Sequence, residues 1–430
     1  MKRGHVWILA ALLAVFAVTL APRGSEAKEI VRPEEIKSWR QVIYDGETYR
    51  KLERQWKEYY GAYPSEYAYA NWMYAARYAE DKDYSRLLDK GVKRYPANPT
   101  LLYLKGLQTL GTSDDAQGRS YLERAVAMDP KYADPWFPLV THFMRLQDDE
   151  RVDGALRHLL ETGVITDEVM DFNYNLLIGL DKNAILITNG DNDTYPGWIL
   201  TRILNVRPDV SIVNRSLLNT EWYPIYVMEH GVPRFIDKAE LAALRSSILK
   251  AAKGKEGQVP PGGLFGDALI LRIVDSAERA DRPVYFSKTM FPSKELEPLI
   301  RNCRELGLVC LVTPSQIPYA EQLRKSYQTW LDDFRTAGLG SWRLKSSPKA
   351  DAGRMLVSNY GQGIAANLGA LKKDAPDLRL KLFRWYIEHV EGLLSDQMRH
   401  GIGQVWACEA SDIKEVDAWC RQQGFECKKQ

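Results

Sequence analysis

Asn189, Asp191, Asp193 and Thr194 lie together in the block Thr188-Asn189-Gly190-Asp191-Asn192-Asp193-Thr194-Tyr195-Pro196, directly after an apolar run at 184–188. Carboxylates this close offer three kinds of chemistry. They can hold a hard divalent cation through oxygen ligands, bind the hydroxyls of a sugar, or exchange protons as general acid and base. Asn214, Asn219 and Thr220 follow a second apolar run at 210–214 and extend the candidate set. The competing reading is structural. Asp193 or Thr194 can cap a helix starting near Pro196, and Asn189-Gly190 is ordinary turn chemistry. Asp191-Asn192-Asp193 also spells the Asp-any-Asp signature of nucleotide-sugar transferases, but no nucleotide-binding unit precedes it.

Other constellations are thin. The six histidines form no metal-spaced pair, and neither a Gly-x-Ser-x-Gly elbow nor a glycine-rich phosphate loop follows any strand. A net charge of +2 from 58 basic and 56 acidic residues sets up no field for nucleic acid or anionic lipid.

The elements that must position these groups read as alternating strands and helices. Strand-like runs at 184–188, 210–214, 284–287 and 308–312 alternate with helix-compatible stretches at 196–204, 239–252, 266–280 and 293–306, with a surface loop at 253–263. That alternation predicts a mainly parallel, Rossmann-like sheet with helices on both faces, and ligands of such sheets sit beyond the carboxyl ends of the strands. The candidate residues follow those ends.

The motifs 188–196, Val206-Arg207-Pro208-Asp209-Val210, 213–220 and Arg282-Pro283-Val284-Tyr285-Phe286 resemble the soluble C-terminal part of a large bacterial membrane-protein family, over about 180–315. Long described only as a domain of unknown function, that family is said to be protein O-mannosyltransferase-like. The resemblance implies a module outside the membrane, near a glycan or protein being modified. Its multi-spanning half, which carries the glycosyl transfer, has no counterpart in these 430 residues, so transferase activity is not carried over.

The first half carries a repeat. Pro64, Pro96 and Pro130 stand in matching contexts 32 and 34 residues apart, with Gly106, Leu122 and Ala125 in one unit, Trp136, Leu139 and Leu156 in the next, and Trp72, Leu88 and Gly91 in the first. This stretch resembles the tetratricopeptide repeat family over 48–163, which implies a groove for a protein or peptide partner. Tyr59, Tyr60, Tyr63, Tyr67, Tyr69, Tyr74 and Tyr78 either line that groove or pack between helices.

A basic start, an apolar run at 6–21 and small residues at 25–27 read as a cleavable signal, which predicts a periplasmic or secreted protein. Its five cysteines should then pair in part. The shared spacing suggests Cys303 with Cys310 and Cys420 with Cys427, leaving Cys408 odd.

The expected chain is therefore multidomain, α and α/β. A signal at 1–27 and an N-terminal segment at 28–47 precede helical repeats at 48–165 and an α/β module at 166–319. A helical region at 320–403, with a linker at 338–348, leads to a small β-α-β unit at 404–430. The leading functional expectation is an exported adaptor that binds a protein or peptide through its repeats, with a divalent cation or glycan as candidate ligands of the α/β module. The competing expectation is an extracytoplasmic glycan-active or metal-dependent enzyme using Asp191 and Asp193.

Overall fold

The computed structural model describes residues 30–252, 261–290, 293–348 and 351–427, so the signal expectation and most of the 253–263 loop lie outside the described residues. Among them, no helix is long and apolar enough to cross a membrane.

Among the described residues, eight helices come first: α1 (Gly46–Ala62), α2 (Glu66–Tyr78), α3 (Tyr84–Arg94), α4 (Pro99–Thr109), α5 (Asp115–Met128), α6 (Trp136–Arg145), α7 (Asp149–Glu161) and α8 (Asp167–Ile178). The prolines fall where the repeat places them, in the breaks after α1, α3 and α5, because proline cannot continue a helix. Successive pairs close on small residues. A side chain at Gly106 of α4 would meet Leu122 of α5 at 2.6 Å, and Gly91 of α3 leaves room for the Tyr69 ring of α2, whose hydroxyl donates to the Leu87 carbonyl at 2.6 Å. Gly91 therefore serves the same close approach that alanine usually permits at that position. Of the tyrosines, Tyr69 packs between helices as expected, and Tyr67 and Tyr74 line a cavity.

Five short strands follow, β1 (Ile185–Thr188), β2 (Ser211–Asn214), β3 (Val284–Ser287), β4 (Arg304–Glu305) and β5 (Val309–Leu311), in the order β2-β1-β3-β5-β4. β1 runs parallel to β2 and β3, pairing Ile185 with Ser211 and with Val284. β5 is antiparallel to both β3 and β4, so the sheet is small and mixed rather than mainly parallel. For the β4–β5 pair the reason is local, since Gly307 adopts φ +82°, turning the chain over three residues, and a parallel pair needs a far longer crossover; the β3–β5 pairing is set by packing. The helix expected over 293–306 accordingly stops at Asn302.

The C-terminal part is helical, with helices Tyr319–Asp333, Ala352–Ala365, Leu368–Asp374, Pro376–His389, Asp396–Glu409 and Lys414–Gln423. No β-α-β unit forms over the described part of 404–430, because the expected first strand is the second half of a helix. The stretch 338–348 is not a free linker either. It contains the short helix Trp342–Ser346, buries Leu339 and Leu344, and holds Asp171 Oδ2 through the Gly338 N–H at 2.8 Å.

Cys303 pairs with Cys310 across the β4–β5 hairpin. The second disulfide joins Cys408 to Cys427, not Cys420 to Cys427. Gly424, at φ +71°, caps helix Lys414–Gln423 and reverses the chain, and Phe425 then settles where a side chain at Gly403 would stand. That path carries Cys427 to the helix bearing Cys408, while Cys420 stays buried at 3% exposure. Burial pushes the Cys420 thiol up to about 11. Alkylation without reductant should therefore label Cys420 alone after denaturation, and only slowly in the native protein. A labelled Cys408 would contradict this pairing.

Candidate functional site

β1 ends at Thr188, and the turn beyond it closes on Asp193. This side chain is 3% exposed, and its carboxylate accepts from the N–H groups of Asn189 at 2.7 Å and Gly190 at 2.8 Å. It also accepts from the hydroxyl of Thr289, two residues beyond β3. Burial pushes the Asp193 carboxyl up, and these three donors act in the opposite sense by favouring the charged form.

The neighbours are likewise turned inward. Thr194 Oγ1 lies 2.6 Å from Thr188 Oγ1 and accepts from Asn214 Nδ2 at 2.9 Å. Asn214 Oδ1 accepts from the Leu217 N–H at 2.8 Å. Asn219 receives the Gly266 N–H at 2.8 Å, and Thr220 donates to the Leu217 carbonyl at 2.7 Å. Thr188, Asn189, Asp193, Thr194 and Asn214 thus meet at the ends of β1 and β2, while Asn219 ties the next turn to helix Pro261–Arg279 and Thr220 closes that turn on itself. Neither Asp193 nor Thr194 caps helix Tyr195–Trp198, because their side chains are spent on the loop itself.

Asp191 points elsewhere. Its carboxylate meets Arg40 Nε at 3.2 Å. The two aspartates therefore face different partners and do not converge on one cradle.

Arg40 lies in residues 30–44, which run as a strap against the repeats. Asn71 of α2 accepts the Ile36 N–H at 3.1 Å, and the Tyr74 hydroxyl accepts the Trp39 N–H at 3.0 Å. The Trp56 indole of α1 donates to the Glu34 carbonyl at 3.0 Å. The Arg32 guanidinium sits over the Tyr67 ring at 4.5 Å, and that of Arg40 over Phe137 at 4.0 Å. Beyond the repeats, Val42 forms an antiparallel bridge with Asp351, and Gln41 O accepts from the Ala352 N–H at 2.9 Å.

At the centre is Asp134, 1% exposed, which accepts from the hydroxyls of Ser38 and of Tyr74 at 3.0 Å and faces Arg40 Nη1 at 3.7 Å. Burial works against the Arg40 charge, but Tyr103, Asp191 and Asp134 outweigh it and hold the guanidinium protonated. Burial also raises Tyr74, Tyr103 and Tyr132, keeping them as hydroxyl donors.

A cavity of about 580 Å³ opens beside the strap. One wall is α2, through Tyr67, Ala70, Asn71 and Tyr74, spaced to share a helix face. The rest is lined by the strap, by the start of α4 through Asn98 and Thr100, by the turn before α6 through Lys131 and Asp134, and by the turn after α7 through Thr162 and Gly163. Sequence reasoning missed the strap, Arg40 and Asp134. The available signal was the apolar set Ile36, Trp39, Val42 and Ile43, too rich for an idle linker.

Residues 169–230 match TMEM260-associated domain 2. The match spans most of α8, β1, β2 with Asn214 at its end, and the loops carrying Asp191, Asp193 and Asn219, and it overlaps the stretch that resembles the protein O-mannosyltransferase-like family. It lies outside helices α1–α7. No curated protein matches the chain.

Proposed function

We propose that the chain is an extracytoplasmic interaction protein whose helical repeats bind an extended polypeptide in the cavity beside the strap. In this reading the α/β part, through Asp191, supports the strap that forms one wall. The observation that carries it is the strap itself. A segment outside any helix or strand is already gripped at its backbone N–H groups by the side chains of Asn71 and Tyr74, and the same helix face continues into the open cavity. Backbone contacts supply affinity for extended peptides while neighbouring pockets supply selectivity. The two disulfides support an oxidising compartment.

Selection of a random peptide library displayed on phage against the full chain tests this. Recovered peptides should lose about tenfold in affinity for Thr100→Trp, which fills the cavity, because displaced contacts are not replaced. Clones that bind wild type and Thr100→Trp alike, or a failure to recover any, would remove the groove from the proposal.

A further inference from the structure

Resting on that reading, we propose that the cavity selects an arginine- or lysine-bearing extended segment of another polypeptide, for which Arg32 of the strap is an internal stand-in. Two observations lead there. The first is charge: Glu35, Glu66 and Asp134 line the space against a single lining cation, Lys131. Asp134 is already engaged by Arg40, but Glu35 and Glu66 have no ion-pair partner among the described residues. The second is a precedent at the cavity wall, since Arg32, on a segment outside any helix or strand, lies over the ring of Tyr67, a lining residue. A cation placed over an aromatic face and flanked by carboxylates gains from both the ring quadrupole and the charge.

The strap has two differently held halves. Residues 38–42 are anchored by Arg40, Asp134 and the bridge to Asp351, whereas Arg32 is exposed and held by its ring contact. An incoming basic segment thus needs to displace only Arg32 from Tyr67, leaving the anchored half in place.

Fluorescence anisotropy on the full chain, with a short labelled peptide alternating arginine and proline and its citrulline counterpart, tests this. Citrulline keeps the shape and hydrogen-bonding capacity but lacks the charge. The arginine peptide should bind about tenfold more tightly than the citrulline one. The exposed double substitution Glu35→Gln with Glu66→Gln should remove most of that difference, and Arg32→Ala should tighten arginine-peptide binding about threefold by freeing the ring. Equal binding of both peptides, or binding of neither, would overturn the cationic preference. The phage-selected clones and Thr100→Trp would still judge the groove independently. An arginine preference untouched by the glutamate substitutions would place the cation elsewhere and also overturn the assignment.

Discussion

Replacing Arg40 with alanine should destabilise the native protein by about 3–5 kcal/mol, the range for breaking a buried ion pair from one side. The side chain is 13% exposed and joins the strap to two other parts of the molecule: the start of α6, through Asp134 and the Phe137 ring, and the turn after β1, through Asp191. Without it, the Asp134 carboxylate, at 2% side-chain exposure, keeps its hydroxyl donors but loses its positive counterpart. Arg40→Lys should recover only part of the loss, because one ammonium cannot reach Tyr103, Asp134 and Asp191 as a planar fork does. Urea unfolding of the oxidised protein measures this. Hydrogen exchange at the Ile36 and Trp39 amides should accelerate in the same variant, since both depend on the strap staying in register. A loss below about 1 kcal/mol would mean that the cluster is screened like a surface pair.

Asp193→Ala should cost roughly 3 kcal/mol, because it removes the acceptor of two backbone N–H groups in a half-buried turn and of the Thr289 hydroxyl, which is left with Ser287 Oγ alone. Asp193→Asn preserves the size but turns one acceptor into a donor, so it should restore no more than half. Asp191→Ala should cost only about 1 kcal/mol, since that carboxylate is 30% exposed and one partner of a larger cluster. Equal losses at the two positions would contradict this division of labour. The same experiment addresses the metal expectation. Asp193 already receives three donors and Asp191 faces a guanidinium, so calcium, magnesium or manganese should leave the unfolding midpoint unchanged. A metal-induced rise abolished by Asp191→Asn would restore cation binding as the role of the pair, through mass action on the native state.

Arg40 and Asp191 lie far apart in the chain, and their pairing explains why the motif was only half legible. Asp193 bonds to positions three and four residues away, so a turn-stabilising role was within reach of the sequence, although the helix cap first suggested by Pro196 was the wrong turn to stabilise. Asp191 has its partner in the strap, and no local pattern announces it. The difference is range, since a short loop allows few conformations whereas a distant ion pair exists only after the intervening helices have packed.

By itself the sequence determined that the first half is helical, because proline breaks, small residues at helix contacts and apolar spacing act within a turn or two of backbone. It also determined β1, β2 and β3 as continuous apolar runs, and it placed Cys303 against Cys310, whose separation leaves room for little beyond a hairpin. Only the tertiary structure decided that β5 runs antiparallel, that Cys427 meets Cys408, and that residues 30–44 lie against the repeats. In those three cases one local signal admits several paths. Glycine at Gly307 and Gly424 permits a reversal without fixing what the returning chain touches, and that choice falls to packing: Phe425 against Gly403, and Arg40 between Asp134 and Asp191.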